Sequence, residues 1–162
     1  MELGHYKQQT ENTMNKLLTC ISTLFLLALF PMVSQAEMPF ITTPDGLEYK
    51  DLRVGEGKQA QPGEIAVIHF TGWLNDSGRR GKEIFNSRKQ QKHVAFLIGT
   101  DRIMPAWNMG VVGMQAGGMR MLRVPPELAY GAKSVDNLVP SHAHLIFIIE
   151  LLELKNPPGV QK

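Results

Sequence analysis

The 162-residue chain predicts an α+β domain, an antiparallel β-sheet of about five to six strands folded across one short α-helix. Three observations predict it. Beyond residue 46 the apolar runs are short and punctuated by Gly, Pro, Asn and Asp, as strands are. Only the segment 104–112 carries helix signals. The last run opens Leu145-Ile146-Phe147-Ile148-Ile149, apolar without alternation, which marks a strand that is central or buried on both faces.

The first strand spans 47–54 and follows the turn residues Pro44-Asp45-Gly46. A loop with three glycines and Pro62 covers 55–63. In the next strand, 65–74, Ile65, Val67 and His69 share one face, and Ala66, Ile68 and Phe70 the other. Residues 75–82 read as a polar connection. It holds the turn Asn75-Asp76-Ser77 and the basic residues Arg79, Arg80 and Lys82 in a Gly-rich loop. A strand at 94–98 ends at Gly99. The helix then opens with Pro105, whose missing N–H costs nothing in a first turn. Trp107 and Val111 are four apart and share its buried face, and Gly113 stops it. A strand at 119–124 ends at Pro125-Pro126, and the last strand runs 145–154. There are no repeats and no low-complexity segments.

The length suits one domain with a real core. A net charge of +2 with scattered Lys and Arg predicts no nucleic-acid surface. Residues 1–36 read as a secretory signal peptide, with the start at Met1 or Met14. Lys16 precedes an apolar stretch at 17–30, and Ser34-Gln35-Ala36 supplies small residues before Glu37. The predicted organisation is a signal peptide at 1–36, a short segment at 37–46, the domain at 47–155 and a tail at 156–162. The only cysteine, Cys20, lies in the leader, so the mature chain relies on its core and not on disulfides. The expected location is exported, in a bacterial periplasm; without cleavage the leader is a membrane anchor. After cleavage no membrane contact is expected.

Several motifs occur together and in order: His69-Phe70-Thr71-Gly72, Phe85-Asn86-Ser87, Trp107 with Gly110, Gly113-Met114, Ala129-Tyr130-Gly131-Ala132 and Leu145 through Leu152. This set resembles the FKBP-type peptidyl-prolyl cis-trans isomerases, over nearly all of the mature chain. The resemblance implies an antiparallel sheet half-wrapped around one short helix, an Xaa-Pro bond as substrate and proline-containing polypeptides as partners. It implies a pocket with Trp107 as floor and Phe85, Phe96 and Phe147 as walls. Ile103 and Met104 would line it, Leu138 and Val139 would form its flexible rim, and Tyr130 would offer its hydroxyl to a substrate carbonyl. Phe70 and Asn86 occupy the family's remaining catalytic positions. The segment 131–144 leaves no room for the inserted chaperone flap of some relatives. No long helical N-terminal region of the kind relatives use to dimerise is present, and a monomer is expected.

The chemistry asks for such a wall. Amide resonance makes unassisted Xaa-Pro exchange take roughly tens to hundreds of seconds. The planar amide is more dipolar than the twisted one, so an apolar, water-poor pocket favours the twist. No nucleophile, metal or cofactor is required. His142 and His144 share a strand face, but two ligands without a third do not make a metal site. His69 reads as a structural strand histidine, and the methionines as core filler.

The chain departs from the family pattern at two pocket positions. Phe70 stands where the family has Tyr, and Asn86 where it has Asp. Hydroxyl and charge are lost together, so no carboxylate is stranded. The pocket wall becomes neutral. Macrolide immunosuppressants, which use that aspartate in the family, should bind weakly, and turnover should fall. Extra residues between Leu74 and Phe85 lengthen a loop beside the pocket. The function expected is prolyl isomerisation during folding of exported proteins. The alternative is a catalytically weak proline-binding module or folding chaperone with the same pocket. A purely structural domain would need the aromatic cluster to be filled from within.

Overall fold

A computed structural model describes residues 38–159; the leader, with Cys20, lies outside the described residues, as do the last three residues of the tail. The elements are β1 (Ile41–Thr42), β2 (Glu48–Arg53), β3 (Ile65–Asp76), β4 (Arg79–Asn86), β5 (Val94–Leu97), α1 (Pro105–Val111), β6 (Met119–Val124) and β7 (Leu145–Lys155), with a 3-10 turn at Pro126–Leu128. Seven strands form one sheet in the order β1-β2-β6-β7-β3-β4, and β5 pairs with β3 beside β4. Every pairing is antiparallel.

The strand count exceeds the expected five to six because two elements carry little sequence signal. One is the two-residue β1. The other is β4, which begins inside the segment expected to be a polar connection. Ser77 and Gly78 both have positive φ, at 51° and 84°, between the paired residues Asp76 and Arg79. That is the two-residue hairpin turn whose twist matches the flanking strands. Asn75 Oδ1 closes it by accepting from the Gly78 N–H at 2.7 Å. Arg79, Arg80 and Lys82 are therefore exposed residues of an edge strand, not of a loop. The extra residues before Phe85 form this hairpin. Its tip is tied down by Arg123, which donates to Gly78 O at 3.1 Å.

β7 lies between β6 and β3, as its unbroken apolar run predicts. Leu145, Phe147, Ile149 and Leu151 point into the core. On the opposite face Ile146 is only 1% exposed, flanked by its cross-strand neighbours Trp73 and Arg123. Each such fully buried side chain contributes about 1.5–3 kcal/mol.

α1 has seven residues and no side-chain cap at Met104, so it is too short to persist alone. Packing holds it. Ala106, Trp107, Gly110 and Val111 are buried against the sheet. A Cβ on Gly110 would stand 2.5 Å from a methyl of Leu122, so glycine lets the helix lie close on β6. Gly113, with φ of 79°, ends the helix as expected. Arg120 fastens that end. Its guanidinium donates to Gly110 O at 3.0 Å and Val112 O at 3.3 Å. It grips both carboxylate oxygens of Asp51, at 2.6 and 3.0 Å, and lies 4.4 Å over the Tyr49 ring. A cation is favoured at a helix C-terminus, and the planar fork meets a carboxylate in two places. The segment ahead of β1 is held differently: Phe40 lies beneath Arg123 at 4.0 Å and near Lys50 at 5.1 Å.

Candidate active site

Five elements bring aromatic side chains to one place. α1 turns Trp107 toward the sheet, where Phe70 of β3, Phe96 of β5 and Phe147 of β7 meet it. Ring centroids lie 4.5, 6.0 and 5.7 Å from the indole, with Phe70 and Phe147 edge-on. Such pairs add about 0.5–1.5 kcal/mol each beyond burial. Gly72 makes room for Phe147, because a Cβ there would meet the ring at 2.6 Å. On the open side Phe85 of β4 and Tyr130 stand 6.4 Å apart. Tyr130 follows the 3-10 turn that Pro125-Pro126 begins. Ile103, Met104 and Val94 are partly buried and pack against the hydrophobic core to which Trp107, Phe96 and Phe147 belong.

The wall carries no ionised group. Burial pushes the Tyr130 phenol above its ordinary value of 10.0. Among the described residues none shares a hydrogen bond with its hydroxyl. The Trp107 Nε1–H is buried without a partner as well. The pocket therefore pairs an apolar surface with a neutral donor held at its edge.

Leu138 and Val139 divide at the rim. Leu138 is 36% exposed, whereas Val139 is 1% exposed and exchanges backbone hydrogen bonds with Val135. Val139 thus anchors the rim from within instead of forming its flexible surface. The Asn86 side chain is engaged by its own turn. Its Oδ1 accepts from the N–H groups of Arg88 and Lys89, both at 3.1 Å. The same carboxamide bonds to the Glu83 carboxylate; Lys89 first, and Asn86 after it, hold Glu83 below its ordinary value. An amide both accepts and donates, and an aspartate could not do both.

The arrangement of Trp107, the phenylalanines and Tyr130 is accompanied by a match along the chain. Residues 56–152 fit the family model described as FKBP-type peptidyl-prolyl cis-trans isomerase. The chain belongs to this FKBP-type isomerase family. An FK506-binding protein of Neisseria meningitidis serogroup B is 36% identical over 109 residues, 67% of this chain and 96% of the relative. FK506-binding protein 2 of Candida glabrata is 32% identical over 114 residues, 68% of this chain and 82% of the relative. Among solved structures, AtFKBP13 superposes with a TM-score of 0.64 at 32% identity, covering 71% of this chain and 98% of that one. FkpA from Escherichia coli gives a TM-score of 0.65 at 27% identity, covering 96% of this chain and 68% of that one. The protein is a peptidyl-prolyl cis-trans isomerase, with the half-wrapped sheet of an FKBP domain.

Three supports of this FKBP-type pocket escaped the sequence reading. Ser87 Oγ bonds to His69 Nδ1 and accepts from the Phe70 N–H, each at 2.9 Å, and so fixes the backbone behind Phe70. Asn108 Oδ1 accepts from the Gly99 N–H at 3.0 Å, and its Nδ2 donates to Thr100 O, which ties α1 to the loop carrying Ile103. Asparagine inside a short helix is a poor helix former, and that was the available signal. Val94 joins the wall from β5, and a valine opening a strand gives no hint of it. Among the described residues no group of three or more His, Cys, Asp or Glu side chains is placed to hold a metal. No helix among them is long and apolar enough to cross a membrane.

Proposed function

We propose that the protein accelerates Xaa-Pro isomerisation while exported polypeptides fold, by desolvating the imide against Trp107, Phe70, Phe96 and Phe147. The observation that carries this reading is the uncharged aromatic wall with Tyr130 unpaired at its edge. The substrate proline packs on the Trp107 face. Phe85, Ile103, Met104 and Leu138 enclose it, and Val139 supports Leu138. As the imide twists it loses resonance and dipole, and the apolar wall disfavours the twisted form less than the planar one. The Tyr130 hydroxyl donates to the carbonyl of the residue before proline and holds the twist. No bond is made or broken and no proton moves.

Turnover is lower than in relatives with the Tyr and Asp pair, because Phe70 brings no hydroxyl and Asn86 no charge. FK506-type macrolides bind weakly for the same reason. The protein acts as a monomer in the periplasm after its leader is removed; retained, the leader serves as an anchor. A second reading is supported by the Asn86 carboxamide, which is committed to its own turn: a proline-binding module or folding chaperone with little catalysis.

Exchange NMR on a short Xaa-Pro peptide, with and without catalytic amounts of the protein, separates the two. Clear acceleration supports the enzyme. Binding without acceleration, with catalysis appearing in the Phe70→Tyr, Asn86→Asp double variant, supports the binding module.

A further inference from the structure

β5 is an edge strand: it pairs with β3 and nothing else. The Ile98 N–H donates to Glu64 O at 2.8 Å, so Ile98 faces β3 with its backbone groups. Alternation then aims the groups of Phe96 and Val94 at β3, and those of Ala95 and Leu97 away from it. Among the described residues one group answers the outward set: Thr100 Oγ1 donates to Leu97 O at 3.1 Å. The N–H groups of Ala95 and Leu97 and the Ala95 carbonyl remain open.

Beside this edge lies a groove of about 900 Å³, bounded by residues 95–97 and 99–103. Phe96, which lines it, also packs on Trp107 at 6.0 Å between ring centroids, so the groove adjoins the aromatic cluster. Asn108 holds the far wall in place through Gly99 and Thr100. The two edges on this side of β3, those of β4 and β5, differ. The β4 edge carries Arg79, Arg80 and Lys82, the kind of charge that keeps another strand from adding. The β5 edge carries exposed Ala95 and Leu97 and no charge.

We infer that the chain flanking the target proline lies in this groove as an added strand on β5, hydrogen-bonded to Ala95 and Leu97. The inference rests on the isomerase reading and extends it. The partner is an extended, unfolded polypeptide recognised through its backbone, with the proline entering the pocket next door. Open groups two residues apart match the repeat of an extended chain, and main-chain pairing is indifferent to side-chain identity.

The test compares a tetrapeptide with a central Xaa-Pro bond against versions lengthened on either side. The expected result is that one lengthened peptide gains in kcat/KM by about threefold or more, the change one net hydrogen bond supplies. Ala95→Pro should abolish that gain and leave the tetrapeptide unchanged, because its N–H points away from β3 and the ladder survives. In the parent protein the same peptide should slow hydrogen exchange at the Ala95 and Leu97 amides, a readout that needs no variant. Equal turnover of all the peptides, with exchange at both amides unchanged, overturns the inference. Protection of both amides without turnover of any peptide supports the added strand and counts against the catalytic reading instead.

Discussion

The Phe70 ring meets the Trp107 indole at 4.5 Å between centroids and 63° between planes. A phenyl ring therefore packs on the indole at the position where the family pattern has a phenol. Restoring that phenol helps only if a charged acceptor comes with it. In Phe70→Tyr, Asn86→Asp the aspartate keeps the two turn amides now served by Asn86 Oδ1 and loses its bond to Glu83. Turnover of a short Xaa-Pro peptide should rise about threefold or more, and FK506 affinity about tenfold or more, as expected for a hydrogen bond to a charged group. NMR titration should show Glu83 moving upward. Unchanged turnover and unchanged FK506 affinity would mean that the pair does not govern this pocket.

Tyr130→Phe removes a hydroxyl that no described residue shares. Stability should stay within about 0.5 kcal/mol of the parent, while kcat/KM falls about threefold to tenfold. Burial raises the Tyr130 pKa above 10.0, so the phenol remains protonated through neutral pH. Above pH 10 the unfolded chain releases this proton more readily than the folded one, and stability falls there. Thermal melts between pH 9 and 11 should show a steeper decline for the parent than for Tyr130→Phe. Parallel declines would contradict the buried phenol.

Asp51 compensates a guanidinium whose side chain is 7% exposed. Asp51→Ala leaves that charge buried and unpaired, at a cost of about 3 kcal/mol. The urea midpoint should drop accordingly, with Asp51→Asn in between. Because Arg120 also holds the end of α1, Trp107 fluorescence should report a looser helix in Asp51→Ala before global unfolding. A midpoint unmoved by Asp51→Ala would refute the role given to this pair.

Glu150 balances opposing effects. Partial burial pulls its pKa up, but Arg88 and Arg53 together outweigh that and hold the carboxyl below 4.5. A depressed carboxylate stabilises the fold above its unfolded pKa, and that contribution is lost as pH falls through the folded one. The parent should therefore lose stability more steeply below about pH 4.5 than Glu150→Gln does. The difference is small, because Glu150 is largely solvated. Identical acid profiles would show that the arginines do not hold it.

Much of the fold was legible because its signals are local. Pro105 and Gly113 bracket α1, Pro125-Pro126 end β6, and the unbroken run from Leu145 reveals a central strand. β4 was not legible, since a polar edge strand needs no apolar alternation and its turn depends on φ at Ser77 and Gly78. In the site, Trp107, Phe70, Phe96 and Phe147 were identified in advance and do converge. The turned carboxamide of Asn86, the inward Val139 and the supports Ser87 and Asn108 were not, because each depends on which backbone group lies within hydrogen-bonding reach.

Sequence by itself determined the family, the helix, five of the seven strands and the aromatic complement of the pocket, because residue type and spacing carry those. Only the tertiary structure decided that Arg120 clasps Asp51 across 69 positions, that Asn86 serves its own turn, and that β5 keeps an open edge beside the pocket. Those outcomes follow from hydrogen-bond partners brought together through space, and no spacing along the chain encodes them.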